Sequence, residues 1–351
     1  MISGVEDAPR KAPAASPRPV ASSVEELLDG VTRLGDHRPV DARSGATFER
    51  VSIDGEPGLV KYVHPDSDFT MRVSGDIGCR PLRVWAAGLM DLAPDLIDHA
   101  HLGAAPWGRN DWGAALLMRD LEPELVPPGD EPIPEAQHLT FLDHCAGLCA
   151  RSWGWEDHFG LLPHRLRWAW FGADQMDGEA ALGFPEPVPR IATEGWLRFA
   201  TSCPPDVARV VDDLRHDAGP LSEAVQATPT CFLHGDWKLG NLGTAADGRT
   251  TLIDWAYPGA GPAAHELTWY LALNRARLPH GHTKESTAIA FRSALGRHGI
   301  ATDGWWERQL GLCLLGAVVQ FGWEKALGEG PDQATELEWW VEAAREGARS
   351  L

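Results

Sequence analysis

Two carboxylates and one amide stand close together in the chain, at Asp236, Asn241 and Asp254. Asn241 comes five positions after Asp236 in the run His234-Gly235-Asp236-Trp237-Lys238-Leu239-Gly240-Asn241, and Asp254 closes the apolar run Leu252-Ile253. Phosphoryl transfer from a nucleoside triphosphate uses such a set. One carboxylate takes or orients the proton of an attacking hydroxyl, while a second carboxylate and an amide oxygen hold the metal ions that bridge the phosphates. Magnesium is a hard ion that takes oxygen ligands, which suits Asp and Asn rather than Cys or His.

These side chains need elements to hold them. Cys231-Phe232-Leu233 reads as a buried strand ending at His234, and residues 250–253 read as a second one. Asp247-Gly248 between them is a hairpin-turn signal. A hairpin brings both strand ends to one edge, where Asp236, Asn241 and Asp254 would converge. Far upstream, residues 48–53 and 59–63 read as strands flanking the turn cluster 54–58. The second of them carries Lys61 in the middle of an apolar run, a costly place for an ammonium without an anionic partner.

The pattern HGDxxxxN followed by Ile253-Asp254-Trp255 resembles the aminoglycoside phosphotransferase family, the choline-kinase-like small-molecule kinases that share the protein-kinase fold. The resemblance implies that Asp236 is the catalytic base, that Asn241 and Asp254 bind Mg2+, and that His234 orients the loop. It implies that Lys61 grips the α- and β-phosphates of ATP, with Asp76 as its acidic partner and Asp68 as the next choice. Ser44, beside Gly45, is the candidate for the loop over the phosphates. Residues 118–121, with Met118, Asp120 and Leu121, stand where the family's hinge meets adenine through backbone groups. Glu266-Leu267 is the nearest match to the family's Asp-Leu pair, which makes Glu266 a structural anchor for the loop. Lys238 either neutralises charge on the γ-phosphate or is simply solvated.

The expected fold is α+β and bilobal, protein-kinase-like, with a small antiparallel-sheet N-lobe and a large, mostly helical C-lobe. The Pro-, Ala- and Ser-rich residues 1–21 read as a disordered arm, 22–121 as the N-lobe with the ATP-binding strands, and 122–351 as the C-lobe with catalytic loop and substrate site. Pro81 is expected to break or kink the helical stretch 68–92. Residues 95–98 and 114–118 read as strands joined by a Gly-rich polar loop. Residues 256–262 read as an irregular loop, shorter than a protein kinase's activation loop. Helices are expected at 206–216, 284–297, 305–327 and 332–349.

Composition narrows the partners. A chain of 351 residues, 44% hydrophobic, can bury a full core. A net charge of -19 argues against a nucleic-acid or anionic-membrane surface, both of which need basic patches. Six scattered cysteines form no paired framework, which points to a reduced, cytoplasmic setting. The apolar run around 310–319 is too short to span a bilayer and reads as a buried helix. The expected activity is ATP- and Mg2+-dependent transfer of the γ-phosphoryl group to a hydroxyl of a small molecule: an aminoglycoside-like antibiotic, a sugar or an amino alcohol. The alternatives are a noncatalytic nucleotide-binding scaffold and a protein kinase, the latter disfavoured by the short 257–262 loop and the lack of an Ala-Pro-Glu segment. Of the sixteen tryptophans, Trp155, Trp237 and Trp255 lie near the expected site, and Glu156, Asp157 and Glu266 are acids that could meet an amine.

Overall fold

The structure, a computed structural model, describes residues 15–38, 45–93, 95–184, 186–274 and 277–351. Ser44 and residues 1–14 of the arm lie outside the described residues. From Ala15 onward the arm lies against the body. The Arg18 backbone N–H donates to Ala86 O, the Trp85 indole donates to Pro19 O, and the Arg18 guanidinium grips Asp91. The prolines thus set an extended strap rather than leaving the whole segment to 21 without contacts.

A short helix α1 (Val24–Leu27) starts at Ser23, whose side chain accepts from Glu26 N. It is followed by β1 (Thr32–His37), β2 (Thr47–Ile53) and β3 (Glu56–Val63). Asp54 and Gly55 alone make the β2–β3 turn, both at positive φ (53° and 91°), the geometry a tight hairpin demands. Pro57 and Gly58, read as turn residues from the sequence, are already in β3. Alternation along β3 turns Val60 and Tyr62 toward a small apolar cluster with Val51, Leu117 and α1, and Val63 toward the main core.

Helices α2 (Phe69–Val73) and α3 (Arg80–Ala86) come next. Pro81 begins α3 rather than kinking it, because the first turn of a helix needs no N–H from that residue. The two-residue β4 (Ile97–Asp98) precedes β5 (His101–Trp107) and β6 (Gly113–Arg119). The N-terminal sheet has the order β1-β2-β3-β6-β5, antiparallel throughout. The segment read as a Gly-rich loop is therefore an edge strand, and an edge position tolerates the Pro106 that hid it.

The remainder is mostly helical. The helices are α4 (Glu135–Arg151), α5 (His164–Ala169), α6 (Ala173–Leu182), α7 (Val188–Ser202), α8 (Pro205–His216), α9 (Gly219–Gln226), α10 (Ala263–Leu273), α11 (Lys284–Arg297), α12 (Trp306–Leu327) and α13 (Pro331–Ala348). α8 buries Val207, Val211 and Leu214 along one face, as its spacing dictates. α12 is long and apolar enough to cross a membrane by length and composition, but most of it is buried against α7, α10 and α13. All six cysteines are buried and unpaired.

Four short strands sit among these helices: β7 (Cys231–Leu233), β8 (Leu242–Thr244), β9 (Thr250–Leu252) and β10 (Gly259–Gly261). The Asp247-Gly248 hairpin joins β8 to β9, not β7 to β9, and β9 also takes β4 as a parallel neighbour. β7 pairs instead with β10, inside the segment expected to be irregular. Glycine makes that ladder feasible: a Cβ on Gly261 would fall 2.3 Å from Leu233 Cδ1, and one on Gly259 would fall 2.8 Å from Leu162 O.

Candidate active site

The catalytic-loop candidate follows β7. His234 is fully buried, and its Nδ1 accepts from Asp236 N (3.2 Å). The ring proton is therefore on Nε2, which donates to Ile253 O (3.0 Å) and ties this loop to the end of β9. Burial pushes the imidazole down to about 4, so it stays neutral and acts as a brace. Glu266, in the first turn of α10 and 0% exposed, accepts from Gly235 N (2.8 Å). Its carboxyl is pushed up to about 8, first by burial and then by Cys149 nearby. Asn274 closes the loop from the other end, its Oδ1 accepting from Leu239 N (3.1 Å).

Within this frame Asp236 is 1% exposed and takes three hydrogen bonds on its two oxygens. Its Oδ1 accepts from the Trp269 indole (2.7 Å), and its Oδ2 accepts from Lys238 Nζ (2.8 Å) and Asn241 Nδ2 (2.8 Å). Asn241 Nδ2 also donates to Asp236 O (3.0 Å). Burial raises the Asp236 carboxyl, and the Asp254 charge adds to that, against the pull of Lys238 and Asn241. With its amide nitrogen committed twice to Asp236, Asn241 has its carbonyl oxygen left as a metal donor.

Asp254 follows β9 at a left-handed φ of 63°, a strained conformation for a residue with a side chain. Its Oδ1 lies 2.7 Å from Lys61 Nζ, a contact spanning 193 residues that joins the N-terminal sheet to the β8–β9 hairpin. Burial by itself would push the Lys61 ammonium down, but Asp254, with Asp68 and Asp236 behind it, leaves it raised. Conversely, burial would raise Asp254, but Lys61 and then Lys238 hold its carboxyl below the usual range. A second tie between the sheet and this hairpin runs through Asp98, which bridges Arg119 on β6 and Arg249 beside β9.

The structure therefore brings Lys61, Asp236, Asn241, Asp254, His234 and Glu266 together, and places others elsewhere. Asp76 is not the partner of Lys61. Both of its oxygens accept from Arg80 N (2.9 Å each), so it caps the start of α3, although it lines the same small cavity of about 30 Å³ as Lys61, Asp68 and Asp254. A shorter acid that must reach the lysine loses to an adjacent free backbone N–H. Asp68 caps α2 through Thr70 and contributes charge to Lys61 at longer range. Met118 is a buried β6 residue paired with Leu59, and Leu121 is buried beyond it. Asp120 N donates to Pro57 O and Arg119 N to Ala100 O, so these two backbone donors are already engaged. Trp237 and Trp255 are each 1% exposed and belong to the core rather than to a ligand-facing surface. Asp157 caps its own loop through Phe159 N and Leu161 N, leaving Glu156 exposed. Trp269 and Asn274 were missed from the sequence. The only signal for Trp269 was its position one turn after Glu266 on the same helix.

A sequence profile of the phosphotransferase enzyme family matches residues 87–305. The chain belongs to this family. No curated protein sequence matches it. Among solved structures it is similar to the choline kinase LicA from Streptococcus pneumoniae, at 10% identity over 92% of this chain and 96% of that one, with a TM-score of 0.51. That likeness shows the fold, the kinase-like arrangement of an antiparallel sheet followed by a mostly helical region. A microcompartment-associated aminopropanol kinase matches at 12% identity over 95% of this chain and 97% of that one (TM-score 0.48). A thermostable mutant of the aminoglycoside phosphotransferase APH(4)-Ia, in complex with ADP and hygromycin B, matches at 12% identity over 93% and 96% (TM-score 0.47).

Proposed function

We propose that this chain transfers the γ-phosphoryl group of ATP to a hydroxyl of a small molecule. The observation that carries this reading is the hydrogen-bonded cluster itself. Lys61 from β3 meets Asp254 after β9 across 193 residues (2.7 Å), Asp236 and Asn241 of the loop after β7 meet each other (2.8 Å), and the His234–Ile253 bond (3.0 Å) ties the second pair's loop to the first. Such convergence is what in-line transfer requires, because its catalysis is mainly positioning and charge neutralisation.

In this reading Lys61 holds the α- and β-phosphates and Asp236 takes the proton of the acceptor hydroxyl. Lys238, beside Asp236, supplies positive charge next to the transferring group. The donor set at Asn241 and Asp254 fits magnesium: one ionised carboxylate and one amide oxygen, both hard. Among the described residues no cluster of three or more His, Cys, Asp or Glu forms a closed metal cage. A magnesium site completed by phosphate oxygens and water needs none. Bound there, the ion would neutralise charge on the phosphates. The test is a panel of aminoglycosides, sugars and amino alcohols incubated with MgATP. ADP release, together with a product heavier by one phosphoryl group, is the expected result. ATP left unconsumed across the panel and in the absence of any acceptor counts against a kinase.

A further inference from the structure

The bonds around Asp236 distinguish its two oxygens. A carboxylate oxygen offers two lone pairs. Oδ2 accepts from Lys238 Nζ and Asn241 Nδ2, both at 2.8 Å, and has none left. Oδ1 accepts from Trp269 Nε1 alone, at 2.7 Å, and keeps one. The indole is itself locked in place. It is 4% exposed, stacks on Trp170 (5.6 Å, 2° between planes), meets Phe321 edge-on (4.9 Å), and packs beside Tyr257 and His265. A rigid aromatic wall thus sets the direction of the Trp269 N–H, and that N–H on Oδ1, with Lys238 and Asn241 on Oδ2, fixes the orientation of the carboxylate.

Resting on the kinase reading above, we propose that Trp269 is a positioning residue for the base, orienting Asp236 so that Oδ1 receives the acceptor's proton. As the acceptor oxygen forms its bond to the γ-phosphorus, the bond from phosphorus to the bridging oxygen breaks and its electron pair leaves with ADP. The hydroxyl proton passes to the remaining lone pair of Oδ1. The acceptor hydroxyl therefore approaches on the indole side of the carboxylate, not on the Lys238 side. No motif marks this residue; it is visible only because α10 carries it back across the loop that Glu266 anchors.

The charged and titratable groups facing Asp236 are Lys238, Asp254, Lys61, Tyr257 and Glu266, with His265 against the indole. The test labels the full chain with 5-fluorotryptophan and compares the fluorine spectra of wild type and Asp236→Asn at one pH. The Trp269 resonance, identified by its loss in Trp269→Phe, should move more than any other in Asp236→Asn. If Trp269→Phe does not fold, the same outcome is read as one resonance that stands out by its shift in Asp236→Asn. A Trp269 signal unmoved in Asp236→Asn, or no resonance that stands out, overturns the proposal. With an acceptor from the panel, Trp269→Phe should lower kcat about tenfold or more and leave KM for ATP and for the acceptor unchanged, the sign of a lost orientation of the base. A kcat close to the wild type's, or a loss carried by KM alone, overturns the positioning role. A wild type that turns over no acceptor sinks the kinase reading and leaves the fluorine comparison to stand or fall alone.

Discussion

Replacing Glu266 with Gln should change how stability depends on pH while leaving the loop in place. The amide keeps an oxygen for Gly235 N, the bond that anchors the loop after β7 at 2.8 Å. It removes a carboxyl that burial holds near pKa 8. The sign follows from proton counting. In the unfolded chain Glu266 ionises near its ordinary value of about 4.3, whereas in the folded chain it keeps its proton to about 8. Between those limits the folded state binds the extra proton, so this group's contribution is complete below the unfolded value and is lost as pH rises through the folded one. The slope is about 1.4 kcal/mol per pH unit, so raising the pH from 6.5 to 8 should cost the wild type about 2 kcal/mol through this residue. Buried histidines and cysteines titrate in both proteins and cancel in the difference. Urea unfolding at both pH values is the assay. The Gln variant should gain about 2 kcal/mol on the wild type across the window. Equal pH slopes in the two proteins would refute the reasoning.

Two other substitutions probe the site. Asp236→Asn should retain nucleotide binding, seen as an unchanged thermal shift with MgATP, while turnover falls on the order of 10²–10⁴-fold as the proton acceptor is lost; turnover at the wild-type rate would give Asp236 another task. Trp237→Ala should destabilise the fold by about 3–5 kcal/mol in a denaturant titration, because Trp237 is 1% exposed and filled by core contacts; a cost under about 1 kcal/mol would mean that its ring is a ligand-facing surface after all.

Much of the candidate site's geometry could be read from the chain because its residues are local in sequence. His234, Asp236 and Asn241 occupy one loop, and Asp254 follows a strand whose hairpin turn is written in Asp247-Gly248. Lys61 was visible because an ammonium in an apolar strand requires a partner. That partner was misjudged: Asp76 faces the adjacent N–H of Arg80, and Asp254 itself meets the lysine. Pairings decided by competition among nearby donors leave no trace in spacing. Pro106 concealed an edge strand for the same reason that glycines concealed β10, since both depress strand propensity where the tertiary setting tolerates them. Trp269 was lost among sixteen tryptophans, nearly all of which would serve a helical core equally well.

If Asp254 and Asn241, opposite Lys61, seat a magnesium-bound triphosphate, thermal unfolding of wild type and Asp254→Ala side by side, in ATP with and without Mg2+, will separate the two proteins. At a ligand concentration a hundredfold above Kd, binding should stabilise the wild type by about 3 kcal/mol, and the magnesium-dependent part should be absent in the variant. An equal magnesium-dependent shift in both proteins, or none in the wild type, would mean that the ion does not sit on Asp254.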